Sequence, residues 1–485
     1  MSTQIAEAGA APLTRRGPPS LTAALVLLAT VQLMVVLDTT IVNVALPSIG
    51  RGLGFNLGDI SWVVNGYALT FGALLLLGGR SGDLLGRRTI FVVSLGGFAA
   101  ASALAGLAQN PAMLIVARLA QGGAAAFAQA TALSLIVSTF AAGPGRNRAV
   151  GIFAAMEGLG AGLGLLLGGV IVQNISWRWV FLVNVPVAAA VAVLARRIIP
   201  APPREHGRID MIGATVATAS LGALVFGLAQ AAEHGWSNPW TVGPVLASVL
   251  GLATFVTLER RSAHPLMPLW VFADRNRAGA YLIQALLGAA LFGFFFLSTL
   301  LLQNVYGYKP LKAGAAFLPA TVIMMVAAGL VSRVVARVGV RPLIASGTSI
   351  AAVGMWLLGG LHPHSAYLPG ILVPMIVLSV GLGMVFVPAT LAAVSGVGED
   401  HSGLVSGVST TAIQIGGAIG VAILATVAAT TAAHPALGTP MLQAVTDGYT
   451  HAFRIGSLLI AGAVPIALAL LRLRPSAGQR GARPV

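Results

Sequence analysis

The sequence contains no cysteine. Disulfides, thiolate metal sites and cysteine nucleophiles are therefore excluded. Charge is also scarce, with Asp, Glu, Lys and Arg together making up 8% of 485 residues, whereas a soluble domain carries about 25%. Apolar residues make up 57%, and 60 glycines come on top of that. Mean hydropathy is +0.89. A soluble globular enzyme is excluded, and so is a disordered chain, which needs low hydrophobicity and high charge. The histidines fall mostly in loops and lack metal-ligand spacing, and there is no H-E-x-x-H run. No metal, cofactor or catalytic activity is expected. A G-x-x-x-x-G-K-[ST] run is also missing, which excludes a nucleotide motor of that kind within the chain.

What is present is a series of long apolar runs. A helix needs about 20 such residues to cross the hydrocarbon core. Fourteen stretches qualify, at 21–46, 60–79, 89–107, 112–138, 149–172, 180–195, 211–230, 242–258, 280–304, 314–336, 342–361, 368–392, 404–429 and 452–471. The first is too long for a signal-peptide core and is kept as a span. The expected fold class is all-α, polytopic and embedded in the bilayer.

The formal charge of +15 would suggest nucleic acid if the arginines formed one stripe. They alternate between loops instead. With the N-terminus inside, the inner segments hold 22 basic residues. The outer loops hold four: Arg51, Arg178, Lys309 and Lys312. Arg118 and Arg454 fall within spans. This is a positive-inside pattern that places both termini in the cytoplasm of a bacterial inner membrane. The basic balance thus reads as topology, and no nucleic-acid partner is expected.

Two long basic inner loops, 196–210 and 259–278, isolate spans 7 and 8 between two blocks of six. The expected division is a tail at 1–19, an N-terminal bundle at 20–196, loops and two linker helices at 197–278, a C-terminal bundle at 279–471 and a tail at 472–485. Repeats of this kind are expected of secondary transporters, with the site at the midplane between the halves.

Two of the 13 acids lie well inside spans, Asp38 and Glu157. A carboxylate at the bilayer centre costs roughly 2.5–3.5 kcal/mol and marks function by default; polar glue between helices is the plainer alternative. Burial disfavours a charged carboxylate and a neighbouring cation favours it. A group moved between those settings takes up and releases protons. Arg118 is the candidate cation. Asp38 lies about 8 residues, roughly 12 Å, from the outer end of span 1, and Arg118 about 6 residues, roughly 9 Å, from the same face in span 4. Gln121 follows at i+3 on the Arg118 face. The competing reading of Arg118 is a side chain snorkelling to the interface. Asn43, Gln121, Phe295 and Gln303 are candidates for a substrate path. The Phe292–Phe296 region also reads as ordinary core or lipid contact.

These segments resemble the fourteen-helix drug:proton antiporter branch of the major facilitator superfamily, across nearly all of 20–475. LDTTIVNVALP (37–47) is similar to the branch signature on span 1. GRSGDLLGRR (79–88) matches the superfamily loop G-x-x-x-D-x-x-G-R-[RK] through Gly79, Asp83, Gly86, Arg87 and Arg88. RLAQGG (118–123) resembles the span 4 motif. WRWVFLVNVP (177–186), HPLMPLWVF (264–272), LLQNVYGYKPLKAGAAFLP (301–319) and SGLVSGVSTTAIQIGGAIGVAIL (402–424) are similar to runs of the same branch, and Asp210 with Gly213 fits the start of span 7. The span 5 antiporter motif keeps Gly160, Gly164, Gly168 and Gly169, with Leu165 where Pro is expected. A straighter fifth span follows from that change.

The resemblance implies an exporter of hydrophobic small molecules or antibiotics, cations among them, working by alternating access. Asp38 and Glu157 would accept protons, Arg118 would modulate Asp38, and the span 2–3 loop would lock the inner side as a gate. The partners implied are substrate, protons and the bilayer, with the monomer as the working unit. An exporter dedicated to one natural product is the main rival. A non-transporting receptor is a weaker one.

Overall fold

The computed structural model describes residues 21–56, 59–140, 144–199, 210–262, 265, 267, 269–395, 402–435 and 439–471. Within these the chain is helical, and no strand occurs among the described residues. The first helices are α1 (Leu21–Leu53), α2 (Trp62–Leu85), α3 (Arg87–Gly106), α4 (Pro111–Thr139), α5 (Pro144–Asn174), α6 (Trp179–Leu182) and α7 (Asn184–Ile198). A pair follows, α8 (Met211–His234) and α9 (Pro239–Arg261). The remainder is α10 (Arg275–Leu300), α11 (Pro310–Ala316), α12 (Leu318–Val338), α13 (Val340–Leu358), α14 (Val373–Ala393), α15 (Ser402–Ala433), α16 (Met441–Ala461) and α17 (Ala463–Leu470). Among the described residues, 12 helical segments are long and apolar enough to cross a membrane. Helices α2 and α5 each include side chains outside the described set.

Local chemistry explains the boundaries. Asn110 caps α4 by accepting from the Met113 N–H at 2.9 Å, with Pro111 at the first helical position. Asp210 caps α8 by accepting from the Gly213 N–H at 2.7 Å, and Asp274 caps α10 by accepting from Asn276 and Arg277. Gly86 separates α2 from α3 at φ 103°, a conformation that strains residues with a Cβ. Span 6, expected as one helix, is broken between α6 and α7. Pro186 lacks the N–H that would bond to the Leu182 carbonyl. A proline likewise stands just past the break after α11, at Pro319, and after α16, at Pro465. Helix α10 instead ends in a π-helical turn, Leu301–Val305.

Helix α1 lies along α5 and also touches α4 and α7; α4 packs on α2 and α3, and α3 on α7. In the later part α10 packs on α15 and α14, α13 on α14 and α16, and α12 on α14. The two groups meet through α2–α15, α5–α11 and α1–α10. Helix α8 rests on α2 and α15, one helix from each group, while α9 packs chiefly on α8. The Thr426 hydroxyl of α15 donates to the Leu228 carbonyl of α8 at 2.9 Å.

Candidate functional site

Asp38 is fully buried at the middle of α1. Arg118, on α4, is 1% exposed, so it does not snorkel. Its Nη1 donates to Asp38 Oδ2 at 2.7 Å. Gln121 Nε2, one turn further along α4, donates to Asp38 Oδ1 at 2.7 Å. Asn184 Nδ2, the first residue of α7, donates to the same oxygen at 2.7 Å. The carboxylate therefore ties three helices together.

A second ring of contacts fixes these donors. Arg118 Nε donates to the Val63 carbonyl of α2 at 2.8 Å, and its Nη1 also donates to Gln121 Oε1 at 2.7 Å. The guanidinium lies 4.3 Å from the centre of the Tyr67 ring and 5.8 Å from that of Phe181. Such stacking favours a cation in a dry site. Gln121 Nε2 donates onward to the Ser102 hydroxyl of α3 at 2.9 Å. Close by in sequence on α2, the Tyr67 hydroxyl and both amide atoms of Asn65 are buried without a hydrogen-bond partner among the described residues.

Sequence depth brought Asp38, Arg118 and Gln121 to one level. It did not find Asn184, Ser102 or Tyr67. Asn184 stood within the quoted run WRWVFLVNVP, and its polarity inside an apolar stretch was the available signal. Glu259, at the end of α9, was also missed as a buried acid; it is 3% exposed, and its Oε2 accepts from the Met267 N–H at 3.1 Å. Its place beside a loop, not mid-span, hid it.

The other expected site residues are dispersed. Asn43 is buried on α1, its amide donating to the Thr39 carbonyl at 3.1 Å while its Oδ1 has no partner among the described residues. Gln303 sits in the π turn and donates across to the Val44 carbonyl of α1 at 2.8 Å. Phe295 is half-buried in an aromatic cluster, 5.2 Å from Phe294 and 5.5 Å from Phe317 between ring centres. Phe294 and Phe296 are buried core residues.

The motif glycines serve close packing. A Cβ on Gly160, Gly164 or Gly168 would meet Val36, Thr40 or Ile41 of α1, and one on Gly169 would meet Leu311 of α11. The Thr40 hydroxyl donates to the Gly160 carbonyl at 3.3 Å. With Leu165 in place of Pro, α5 runs uninterrupted from Pro144 to Asn174. The expected loop at 79–88 is helical except at Gly86: Gly79 on α2 faces Ala130 of α4, Arg87 on α3 is half-buried, and Arg88 Nη1 donates to the Ile199 carbonyl at 3.2 Å. The side chains of Asp83 and Glu157 lie outside the described residues.

Fold and site define a polytopic helical membrane protein with a buried, hydrogen-bonded ion pair in its first helical group. The sequence profile of the Major Facilitator Superfamily matches residues 28–421. The chain is 40% identical over 463 residues to the cephamycin export protein CmcT of Amycolatopsis lactamdurans, covering 94% of each chain. It is 40% identical over 448 residues to the puromycin resistance protein pur8 of Streptomyces alboniger, covering 90% of this chain and 89% of that one. In fold it is similar to a bacterial homologue of the human lysosomal transporter Spinster in an inward-facing, unoccupied conformation. That match has a TM-score of 0.69 at 13% identity and covers 92% of this chain and 96% of that one. The chain belongs to the major facilitator superfamily. It is a multi-pass transporter of the bacterial inner membrane and not an enzyme.

Proposed function

We propose that this transporter exports hydrophobic small molecules or antibiotics in exchange for protons, by alternating access. The observation that carries the reading is the geometry at Asp38. All three of its side-chain partners present N–H donors, an arrangement suited to an ionised carboxylate. A proton added to Asp38 would cancel the charge that draws the Arg118 guanidinium and would weaken the ties to α4 and α7. Protonation thereby becomes helix movement, which is what coupling requires. Glu157 is the second proposed proton acceptor, and Arg118 modulates Asp38.

In the same reading the chain crosses the membrane fourteen times, α2 and α5 included, with both termini cytoplasmic. Residues 20–196 and 279–471 form two six-helix halves, and α8 and α9 link them. Asn43, Gln121, Phe295 and Gln303 line the substrate path, the residues Gly79, Asp83, Gly86, Arg87 and Arg88 at the α2–α3 junction gate the inner side, and the monomer is the working unit. Export is supported by the relatives, whose names describe cephamycin export and puromycin resistance. Those names, each tied to one compound, also favour a second reading, an exporter dedicated to a single natural product.

The test is substrate-evoked proton release from energised inside-out vesicles, followed with a pH-sensitive dye across a panel of lipophilic compounds. Wild-type protein is expected to respond and Asp38→Asn to be silent. A response that persists in Asp38→Asn removes the coupling role from Asp38. A response to one compound alone selects the dedicated exporter.

A further inference from the structure

Residues of α15, α16 and the segment after α13 line a half-open cavity of about 250 Å³, at the face that the proposed topology puts outside. Asp447, His451 and Arg454 line it from α16, His362 from the segment after α13, and Thr431 from the end of α15. Helix α16 runs inward from this face, so the groups along its cavity side are ordered by depth. Asp447 is outermost, His451 follows one turn below, and Arg454 lies two turns below, about 10 Å from Asp447 along the axis. Below Arg454 the surface turns apolar: Leu458 on α16 and Val353, Trp356 and Leu357 on α13 are all exposed.

Arg454 lies across the end of α13. Its stem passes where a Cβ on Gly359 would stand, and its guanidinium is 5.9 Å from the Trp356 ring centre. Among the described residues the Arg454 guanidinium has no hydrogen-bond or carboxylate partner, while its carbonyl accepts from the Ser457 hydroxyl at 2.7 Å. Asp447 accepts from Gln443 Nε2 at 2.6 Å through Oδ1, which leaves Oδ2 for another donor. The cavity thus offers a cation at the apolar boundary and an anion further out. An anionic headgroup would meet Asp447 unfavourably, and a cationic amphiphile would meet Arg454 unfavourably.

We infer that this cavity binds the headgroup of a zwitterionic phospholipid of the outer leaflet, a phosphoethanolamine ester. Arg454 takes the phosphate, Asp447 takes the ammonium, and the acyl chains descend over Trp356 and Leu458. The order ammonium, phosphate, hydrocarbon from water to bilayer matches the order Asp447, Arg454, Leu458. Trp356 at the end of α13 fits an interfacial anchor. The site involves neither the ion pair nor the proposed transport path, so its failure would leave the transport reading untouched.

The experiment is native mass spectrometry of the full chain in detergent. Phosphatidylethanolamine, phosphatidylglycerol, free phosphoethanolamine and inorganic phosphate are each titrated. One phosphatidylethanolamine is expected to bind in preference to phosphatidylglycerol. Arg454→Gln should weaken it about tenfold, the loss of one charge-assisted hydrogen bond, and Arg454→Lys should restore most of that. Asp447→Asn should abolish the preference over phosphatidylglycerol while binding persists. Thermal melts of each variant separate lost binding from lost fold. Equal binding of the two lipids by wild type overturns the inference, as does an Arg454→Gln chain that melts normally and keeps its lipid. Tight binding of either free anion overturns the assignment to lipid.

Discussion

The Asp38–Arg118 pair makes a sharp energetic prediction, because both partners are almost completely buried. Replacing Asp38 with Leu leaves Arg118 with its bonds to Val63 and Gln121 and its stacking on Tyr67, but with no countercharge. Stranding one member of a buried pair costs about 3–5 kcal/mol. The orphaned Asn184 amide adds about 1 kcal/mol. Arg118→Leu carries a similar total, since it strands the carboxylate and the Gln121 Oε1. In the double variant both charges are gone. Asn184 Nδ2 and Gln121 Oε1 are left without their side-chain partners, at about 1 kcal/mol each, the Val63 carbonyl loses its bond from Arg118, and Gln121 Nε2 keeps Ser102. The double variant should therefore be about 2–3 kcal/mol more stable than either single one. The assay is SDS-driven unfolding in mixed micelles, read by tryptophan fluorescence. The sign also depends on pH. Acid should partly rescue Arg118→Leu, because a carboxylate can be neutralised by a proton, and should not rescue Asp38→Leu, because a guanidinium stays charged. A double variant as unstable as the sum of the two singles would refute the reasoning.

Asn184→Ala removes one of three donors to Asp38 and should slow substrate-driven proton release about tenfold or more, in vesicles where the protein level matches wild type. Gly168→Val places a branched side chain against the Ile41 backbone. It should lower the thermal midpoint and cost about 1–3 kcal/mol by overpacking, whereas Gly151→Ala, which meets open space, should not. Gly86→Ala forces a Cβ into the left-handed region at φ 103° and should destabilise by about 1 kcal/mol, readable as a lower melting point. Gln303→Leu deletes the hydrogen bond to the Val44 carbonyl. It should raise accessibility of a cysteine placed at Asn43 to a membrane-impermeant thiol reagent added outside, which this cysteine-free chain makes clean to measure.

Much of the architecture was legible because apolar length is counted along the chain. The twelve segments long enough to cross a membrane fall on stretches read from the sequence. Helix interruptions were less legible. The breaks at Val183, Phe317 and Gly462 lie inside unbroken apolar runs, and only the prolines just beyond them signal the missing bonds. At the site, depth along a helix placed Asp38 and Arg118 at one level, because rise per residue is fixed. Depth says nothing about azimuth, so Asn184 could not be assigned to the same carboxylate from spacing. The glycines of α5 showed the reverse case. Their spacing announces close helix contact, but only the fold shows that three face α1 and one faces α11.

That division of faces bears on how the two helical groups separate. On the side where α1 and α10 end, the groups touch through Gly169 against Leu311, Gly314 against the Leu165 backbone and Gln303 against Val44. None of these three contacts is an ion pair. The contacts are van der Waals and two neutral hydrogen bonds, from Gln303 to the Val44 carbonyl and from the Leu311 N–H to Gln173 Oε1, each worth about 1 kcal/mol net. Such a seam has no large desolvation barrier to reverse. The buried Asp38–Arg118 ion pair lies within the first group, where Asp38 binds α1 to α4 and α7. In the proposed cycle, a proton therefore does not break the seam directly. It loosens the internal clamp that sets the tilt of α1, and α1 carries both Val44 and the Ile41 surface against which α5 rests. A coupling site remote from the seam can then govern it, because the helix bearing the carboxylate also bears the contact.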